Sequence, residues 1–311
     1  MTFVFRRLVL LVPTAVGVTI ITFFMVHLIP GNPAVTVLGE HATPQAVALL
    51  DHQWGLDQPL ATQYWLFIDR LFHGNLGTSL YYQVPVSSLI GSRLPATLWL
   101  LCYAAVIAIV ISVPLATLAA SRRDAVRDHV VRIVPLLGLG MPPFWFALIL
   151  QTWLGTKLRL FPVTGYGEGF AGHLHTMFLP SFTIAIALCP VLIRSLRTSM
   201  LGVLGAEFVT TARAKGVPSR RLLTRHVLRN AIIPAVTVLG INVGYLVGGT
   251  LIVEQVYAVP GLGSLMISSI LDRDFPVVQA VALIFGVLVV LVNLFTDVAY
   301  ASLDPRVRFD Q

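Results

Sequence analysis

The sequence predicts an all-α membrane protein with six membrane-spanning helices. Hydrophobic residues make up 56% of the 311 residues and charged residues only 11%, whereas about a quarter of a soluble domain is charged. The mean hydropathy is +0.84. The apolar residues form long uninterrupted stretches, and the basic residues concentrate in alternate connections between them. These observations argue against a water-soluble fold.

Each predicted span is an apolar stretch of sufficient length. A spanning helix needs about 20 residues, because each rises about 1.5 Å across a hydrocarbon core about 30 Å thick. The first stretch exceeds the apolar core of a cleavable signal, about 7–15 residues, and is therefore expected to be a retained span. The fourth contains Pro180 and Pro190, so its ends are the hardest to place. The six stretches are Leu8–Ile29, Pro95–Ala120, Ile133–Leu154, Met177–Ile193, Ala231–Val253 and Val277–Tyr300.

The distribution of Lys and Arg predicts the orientation. With a cytoplasmic amino terminus, 16 of the 21 basic residues lie in cytoplasmic segments and five outside, as the positive-inside rule requires. Both termini are thus predicted to be cytoplasmic. The predicted organisation is 1–30 for the amino terminus and first span, 31–94 for an extracytoplasmic loop domain, 95–300 for the transmembrane core with a cytoplasmic loop at 194–230, and 301–311 for a cytoplasmic tail.

The sequence lacks the motifs of several enzyme and carrier classes. It has no Gly-x-x-x-x-Gly-Lys-Ser/Thr loop for nucleotide phosphates and no His/Cys/Asp/Glu cluster with metal-ligand spacing. The predicted spans contain only His27 and Asp297 as ionisable groups, which disfavours an ion-coupled carrier. Cys102 and Cys189 both lie in apolar stretches and are read as small apolar residues. We therefore predict no catalytic residue, cofactor or metal, and we attribute the net charge of +7 to topology, not to nucleic-acid binding.

A short helix is predicted in the basic cytoplasmic loop. Glu207 near its start and Arg213 and Lys215 near its end complement the helix dipole. Gly216 can adopt the left-handed conformation of a helix C-cap. After a turn, Ser219 is the predicted N-cap of a second helix.

This second helix is predicted to be amphipathic, because Arg221, Arg225 and Arg229 recur every four residues. Two roles are open for the loop from the residues alone. It could lie on anionic headgroups, or its first helix, with small side chains at Thr211, Ala212 and Ala214, could dock into a groove of a soluble partner.

Position by position, this loop resembles the cytoplasmic coupling loop of ATP-binding-cassette (ABC) importer permeases of the dipeptide/oligopeptide/nickel group. The matching residues are Thr211–Gly216, Arg225-His226, Arg229-Asn230-Ala231 and Pro234. The resemblance continues along the chain in Arg6-Arg7-Leu8 with Pro13, Pro30–Ala34, Gly55–Pro59, Gly74–Ser79, Arg93–Thr97, Val256-Tyr257, Pro260–Gly263 and Asp304–Arg308. Asn32 and Asn75 depart from it, since the family pattern has Asp there.

The resemblance implies the type I ABC importer permease fold and half of a translocation pathway for short peptides in the bacterial cytoplasmic membrane. It implies a second homologous permease, one or two ABC ATPase subunits that bind ATP and Mg, and an extracytoplasmic substrate-binding protein that contacts the outer loop domain. The implied ATPase-coupling residues are Glu207, Thr210, Thr211, Ala212, Arg213, Ala214, Lys215 and Gly216. Gly216 has the alternative role of an ordinary helix cap.

The resemblance also marks Pro260, Gly261 and Gly263 as a candidate gate, for which a surface loop with an amphipathic helix is the alternative. No substrate-binding residue is assigned: Gln151, Asn242 and Asn293 could each face substrate or a neighbouring helix. The same machinery importing nickel or another small solute such as heme is an alternative to peptide import. A stand-alone secondary carrier and a membrane enzyme are the competing classes.

Overall fold

The computed structural model of the chain describes residues 2–27, 32–39, 42–121 and 125–303. Within these ranges the regular structure is helical, with one isolated β-bridge between Thr78 and Pro85 and no strand. Pro30, Gly31, Arg122, Arg123 and segment 304–311 lie outside the described residues. The α-helices are α1 Thr2–His27, α2 Pro33–Leu38, α3 Pro44–Trp54, α4 Leu60–Phe72, α5 Val86–Ser121, α6 Val126–Gly140, α7 Pro143–Leu150, α8 Gly169–Thr176, α9 Phe178–Leu204, α10 Glu207–Ala214, α11 Ser219–Arg221, α12 Leu228–Val256, α13 Leu262–Leu271 and α14 Phe275–Leu303.

Within the described residues, each predicted span falls mainly on helical structure. Among the described residues, four stretches are long and apolar enough to cross a membrane, and shorter apolar stretches occur in α1, α12 and α13. The total of six spans therefore stays a prediction. The four stretches are Val86–Ser121, Phe178–Leu204, Ser219–Gly240 and Phe275–Ala299.

The third predicted span is not one uninterrupted helix. Helix α6 ends at Gly140, Met141 is extended (φ −95°, ψ 129°), and α7 begins at Pro143. Two consecutive prolines explain the break, because proline lacks an N–H and drives the residue before it away from helical geometry. After α7 the chain continues as a π-helical segment, Gln151–Lys157.

Most of the predicted cytoplasmic loop 194–230 is helical. Helix α9 continues to Leu204, well beyond the predicted end of the fourth span at Ile193. The chain is helical again from Ser219, through the π-helical segment Leu222–Val227 and into α12. Only two short connections, 205–206 and 215–218, interrupt the helices.

The chain divides into two compact units. The first comprises residues 1–97 and 260–290; here α4 packs against α1, and α2 against α3. The second comprises residues 98–259 and 291–311; here α9 packs against α12, α6 and α7. Each unit has a buried apolar interior, represented by Phe23, Ile90 and Leu265 in the first unit and by Leu192 and Met200 in the second.

Small residues allow close helix contacts within each unit. A Cβ at Gly286 of α14 would collide with Val18 of α1, and a Cβ at Gly240 of α12 would collide with Thr296 of α14. Helices in membranes associate largely through such van der Waals contacts, since lipid tails are as apolar as the side chains. The glycines thus fix the distance between the paired helices.

Candidate coupling helix and gate segment

All eight predicted coupling residues lie on or directly after helix α10, which we call the coupling helix. It begins after Ala206, which provides no side-chain cap, and it has Glu207 in its first turn and Arg213 in its last. Val209 is completely buried and anchors the helix, whereas Thr210 and Thr211 are exposed. Phe208 is also exposed, so the exposed surface of the coupling helix combines one large aromatic side chain with shorter polar ones.

Gly216 ends the coupling helix in the left-handed conformation predicted from the sequence. Its φ is +78°. The Gly216 N–H donates to the Arg213 carbonyl at 2.9 Å and the Val217 N–H to the Ala212 carbonyl at 3.1 Å, which together form a Schellman motif. Among the described residues other than its two chain neighbours, no atom lies within 4 Å of a Cβ built at Gly216. An L-residue here would strain the backbone, but its Cβ would meet no obstacle from the part of the chain that the structure describes.

The N-cap of the helix that follows lies one residue earlier than predicted. Pro218, not Ser219, is the N-cap, and its carbonyl accepts the Leu222 N–H at 3.0 Å. Proline's fixed φ suits this junction, and no side-chain hydrogen bond is needed. The prediction that Ser219 is the N-cap is therefore wrong.

The predicted amphipathic character of the second helix is confirmed. Leu222 and Val227 are buried, while Arg221, Arg225 and Arg229 are exposed. The π-helical segment 222–227 brings residues five apart, such as Leu222 and Val227, towards one face. The result is a solvent-facing row of guanidinium groups next to the coupling helix in sequence.

A buried ion pair joins α6 to α9 and was not predicted from the sequence. Arg197 Nε and Nη2 donate to Asp128 Oδ1 and Oδ2, each at 2.5 Å, and the Asp128 side chain is completely buried. A bidentate guanidinium–carboxylate contact of this kind is among the strongest polar contacts in proteins. Helical spacing could have indicated it, because Arg197 shares its face with buried Ile193 and Met200 and a buried cation needs a partner.

Tyr257 organises the end of α12. Its hydroxyl lies 3.1 Å from Thr183 Oγ1 and donates to the Ala147 carbonyl at 3.2 Å, and its own carbonyl accepts the Gly165 N–H at 3.0 Å. Gln151 Nε2 donates to the carbonyls of Val163 and Val256 at 2.9 and 3.0 Å. Gln151 therefore uses its amide group in helix-to-loop hydrogen bonds within its own unit.

The other two polar residues in the spans have simpler surroundings. Asn242 Nδ2 donates to the Val238 carbonyl one turn earlier, and Asn293 is exposed. Neither observation assigns a substrate contact.

The predicted gate residues form the start of helix α13. Gly261 is its N-cap, and Gly261 and Gly263 are buried. The Leu262 N–H donates to Thr97 Oγ1 at 2.8 Å, and both residues are completely buried. This part of the segment is therefore a packed helix start and not an exposed surface loop.

The other end of α13 is held by a buried carboxylate. The Asp274 N–H donates to the Ser269 carbonyl at 2.7 Å, and the completely buried Asp274 carboxylate accepts hydrogen bonds from Ser79 Oγ, the Leu80 N–H (3.1 Å) and the Tyr81 N–H (3.3 Å). Sequence reasoning missed Asp274 because it precedes the sixth span in a charged turn. Hydrogen bonds thus connect both ends of α13 to residues 79–97.

Comparisons with known proteins agree with this helical architecture. Residues 112–309 match the family model described as "Binding-protein-dependent transport system inner membrane component", and residues 1–101 match "Binding-prot-dependent transport system membrane comp, N-term". The chain belongs to this family of inner membrane permeases. The predicted family resemblance is thereby confirmed over nearly the whole chain.

Named relatives extend over the same length. The permease is 38% identical over 307 residues to a glutathione transport system permease protein of Salmonella choleraesuis, with 99% of each chain covered. It is 35% identical to a dipeptide transport system permease protein of Alkalihalophilus pseudofirmus, with 98% of each covered. It is 37% identical to a putative peptide transport system permease protein of Brucella abortus, again with 99% of each covered.

The fold is shared with a solved ABC importer. A chain from inward-facing structures of the MetNI methionine ABC transporter superposes with a TM-score of 0.59 at 15% identity, covering 70% of the permease and 96% of that chain. The permease thus has the helical fold of an ABC importer permease, as predicted.

One departure from the family pattern has a local explanation. Asn32 Nδ2 donates to Asp51 Oδ2 at 2.9 Å, and Asn32 Oδ1 accepts the Ala34 N–H at 2.7 Å as the N-cap of α2. An Asp at position 32 would keep the cap but place a second carboxylate against Asp51. The amide at position 32 avoids this like-charge contact.

Proposed function

We propose that this permease forms half of the translocation pathway of an ATP-driven importer of short peptides, and that the coupling helix seats in a cleft of a partner ATPase subunit. Membership of the family supports the importer, and the peptide, dipeptide and glutathione names of the relatives support the cargo. A second permease chain, one or two ATPase subunits and a substrate-binding protein complete the proposed assembly.

The main support for this proposal is the structure of the coupling helix. It has one completely buried anchor, Val209, an exposed surface on which Phe208 stands among shorter side chains, and a glycine end that leaves open space beyond it. An exposed aromatic side chain among shorter ones is typical of a surface that packs against a partner. ATP hydrolysis in the partner would move this helix and, through continuous α9, the spans.

The direction of transport follows from the proposed orientation. The distribution of basic residues supports a cytoplasmic position for the coupling helix and for the arginines of the following helix, where ATP is available. The segment between α1 and α5 then lies outside, where a substrate-binding protein delivers cargo.

Variants of Gly216 test the coupling role in the complete transporter. Gly216→Val strains a left-handed position by about 1–2 kcal/mol, while Gly216→Asn tolerates that conformation but still adds bulk. We expect both variants to insert and assemble normally, and both to hydrolyse ATP without proportionate uptake. If Gly216→Asn supported normal uptake and Gly216→Val did not, Gly216 would act only as an ordinary helix cap.

A bulky residue on the coupling helix tests docking itself. Ala214 is exposed, so Ala214→Trp should leave the permease fold intact but prevent co-purification of the ATPase subunit. Thr224→Trp, also exposed on the next helical segment, is the matched control and should retain the ATPase. Accumulation of peptide by vesicles that contain this permease alone would instead establish the competing secondary carrier.

A further inference from the structure

The first unit contains a cavity of about 600 Å³, within the roughly 300–1,000 Å³ typical of small-molecule sites. Its walls come from α1, α3, α4, the loop 75–83 and the first three turns of α14. Neither the coupling helix nor the Pro260–Gly263 turn lines it. The cavity is therefore separate from the sites proposed above.

The lining has two chemical characters. Spanning helices contribute apolar groups, including Phe23 of α1 and Ala280 and Leu283 of α14. The segment between α1 and α5 contributes the polar groups Arg70 and Asn75, along with further apolar side chains such as Phe67. The side that belongs to the membrane helices is thus mainly apolar, with Gln279 of α14 as a polar residue in it, and the charged group comes from the connecting segment.

Arg70 is the cation among the described lining residues, and none of these residues is acidic. Its Nε donates to the Leu66 carbonyl at 3.2 Å. No ion pair to Arg70 occurs among the residues that the structure describes. The guanidinium group therefore remains available to an anion in the cavity.

We propose that this cavity binds an anionic lipid, with an acyl chain against Phe23, Ala280 and Leu283 and a phosphate or carboxylate at Arg70. The residues proposed to contact the acyl chain belong to α1 and α14, the two predicted spans that border the cavity. A free peptide fits less well, because its ammonium group needs a carboxylate partner that the described lining does not offer.

The position of the cavity gives lipid binding a structural consequence. Ser79 and Leu80 both line the cavity and both hydrogen-bond the buried Asp274 carboxylate. A bound lipid therefore supports the same loop that holds the end of α13.

Native mass spectrometry of the full-length permease in detergent tests the proposal. The protein is exchanged into micelles with equal amounts of phosphatidylglycerol and phosphatidylcholine, and a parallel sample receives palmitate. We expect selective retention of one phosphatidylglycerol. Arg70→Gln should lower this retention about fivefold, the effect of losing one basic contact of about 1 kcal/mol, whereas Arg93→Gln, outside the lining, should not change it.

A second variant separates cavity binding from loose surface lipid. Ala280→Phe fills the apolar end and should abolish retention whatever the headgroup. Retention of palmitate with the same dependence on Arg70 supports the same anionic acyl site with a fatty acid as its occupant. Equal retention of both phospholipids by the wild type and Arg70→Gln, or displacement of phosphatidylglycerol by a dipeptide, would overturn the proposal.

Discussion

The coupling helix and α13 use opposite means of holding their shape. The coupling helix is fixed mainly by local contacts: one buried side chain, Val209, and backbone hydrogen bonds at Gly216. Helix α13 is fixed by distant residues, since Thr97 bonds its first turn and Asp274 joins its end to Ser79. An element meant for a partner can keep an open surface, whereas an element inside the permease must satisfy its polar groups within the chain.

This contrast implies that substitutions in the two regions fail differently. Changes on the coupling helix should impair function while the protein stays folded. Changes at buried polar contacts should reduce stability first. The following predictions are ordered by the size of the expected effect.

The largest effect is expected at the buried ion pair between α6 and α9. Arg197→Met leaves the Asp128 carboxylate buried without its guanidinium partner and should lower the free energy of unfolding by about 3–5 kcal/mol. Thermal unfolding in detergent measures this. Arg194→Met, one turn away and exposed, should change little. The double variant Asp128→Leu/Arg197→Met should recover most of the loss, and failure to recover would show that the pair is not the cause.

The next effect concerns the end of α13. Asp274→Ala removes the acceptor of three hydrogen bonds and should cost about 3 kcal/mol. Asp274→Asn keeps one acceptor oxygen and should cost less. Asp272→Ala, two residues earlier and not fully buried, is the control. Equal melting temperatures for the Asp272 and Asp274 variants would show that the buried contacts of Asp274 do not stabilise the end of α13.

A smaller effect is expected at the start of α13. Thr97→Val preserves the shape of the side chain but leaves the buried Leu262 N–H without this acceptor, at a cost of about 1–2 kcal/mol. Thr97→Ser retains the hydroxyl and should stay closer to the wild type. If coupling to α13 matters for transport, Thr97→Val should also lower the ATPase stimulation produced by the substrate-binding protein, with basal ATPase activity unchanged.

The smallest effect is expected at an exposed contact in the first unit. His52 Nδ1 lies 2.7 Å from Asp57 Oδ2, and this contact raises the pKa of His52 and lowers the pKa of Asp57. Its stabilisation is therefore fully present below the ordinary histidine pKa and is lost as the pH rises through the raised pKa of His52. At the acid end it is lost as the pH falls through the lowered pKa of Asp57.

Both side chains of this contact are solvent-exposed, so the stabilisation should be small. The melting temperature of the wild type should slightly exceed that of His52→Ala at about pH 5.5, and the two should coincide at about pH 8.5. If His52→Ala lowered the melting temperature as much as Asp274→Ala does, burial would not be what determines how much a polar contact stabilises this protein.

The sequence by itself determined the features that depend on residues close together in the chain, or on whether a segment prefers water or lipid. Apolar stretches predicted the helices, and Gly216 predicted the left-handed end of the coupling helix, because glycine takes this conformation with the least strain. The Pro142-Pro143 pair could have indicated the break between α6 and α7, which the hydropathy pattern hid. The order of the motifs indicated the family.

Only the tertiary structure decided which polar residues are buried together. Asp128 and Arg197 are 69 positions apart, and Ser79 and Asp274 are 195 apart, so no local pattern pairs them. The same holds for the extension of α9 to Leu204, where Arg197 is tolerated on a buried face because Asp128 neutralises it. A single charged side chain is unstable in an apolar environment, but it is tolerated there when a residue of opposite charge lies beside it. Which residue lies there depends on how the helices pack.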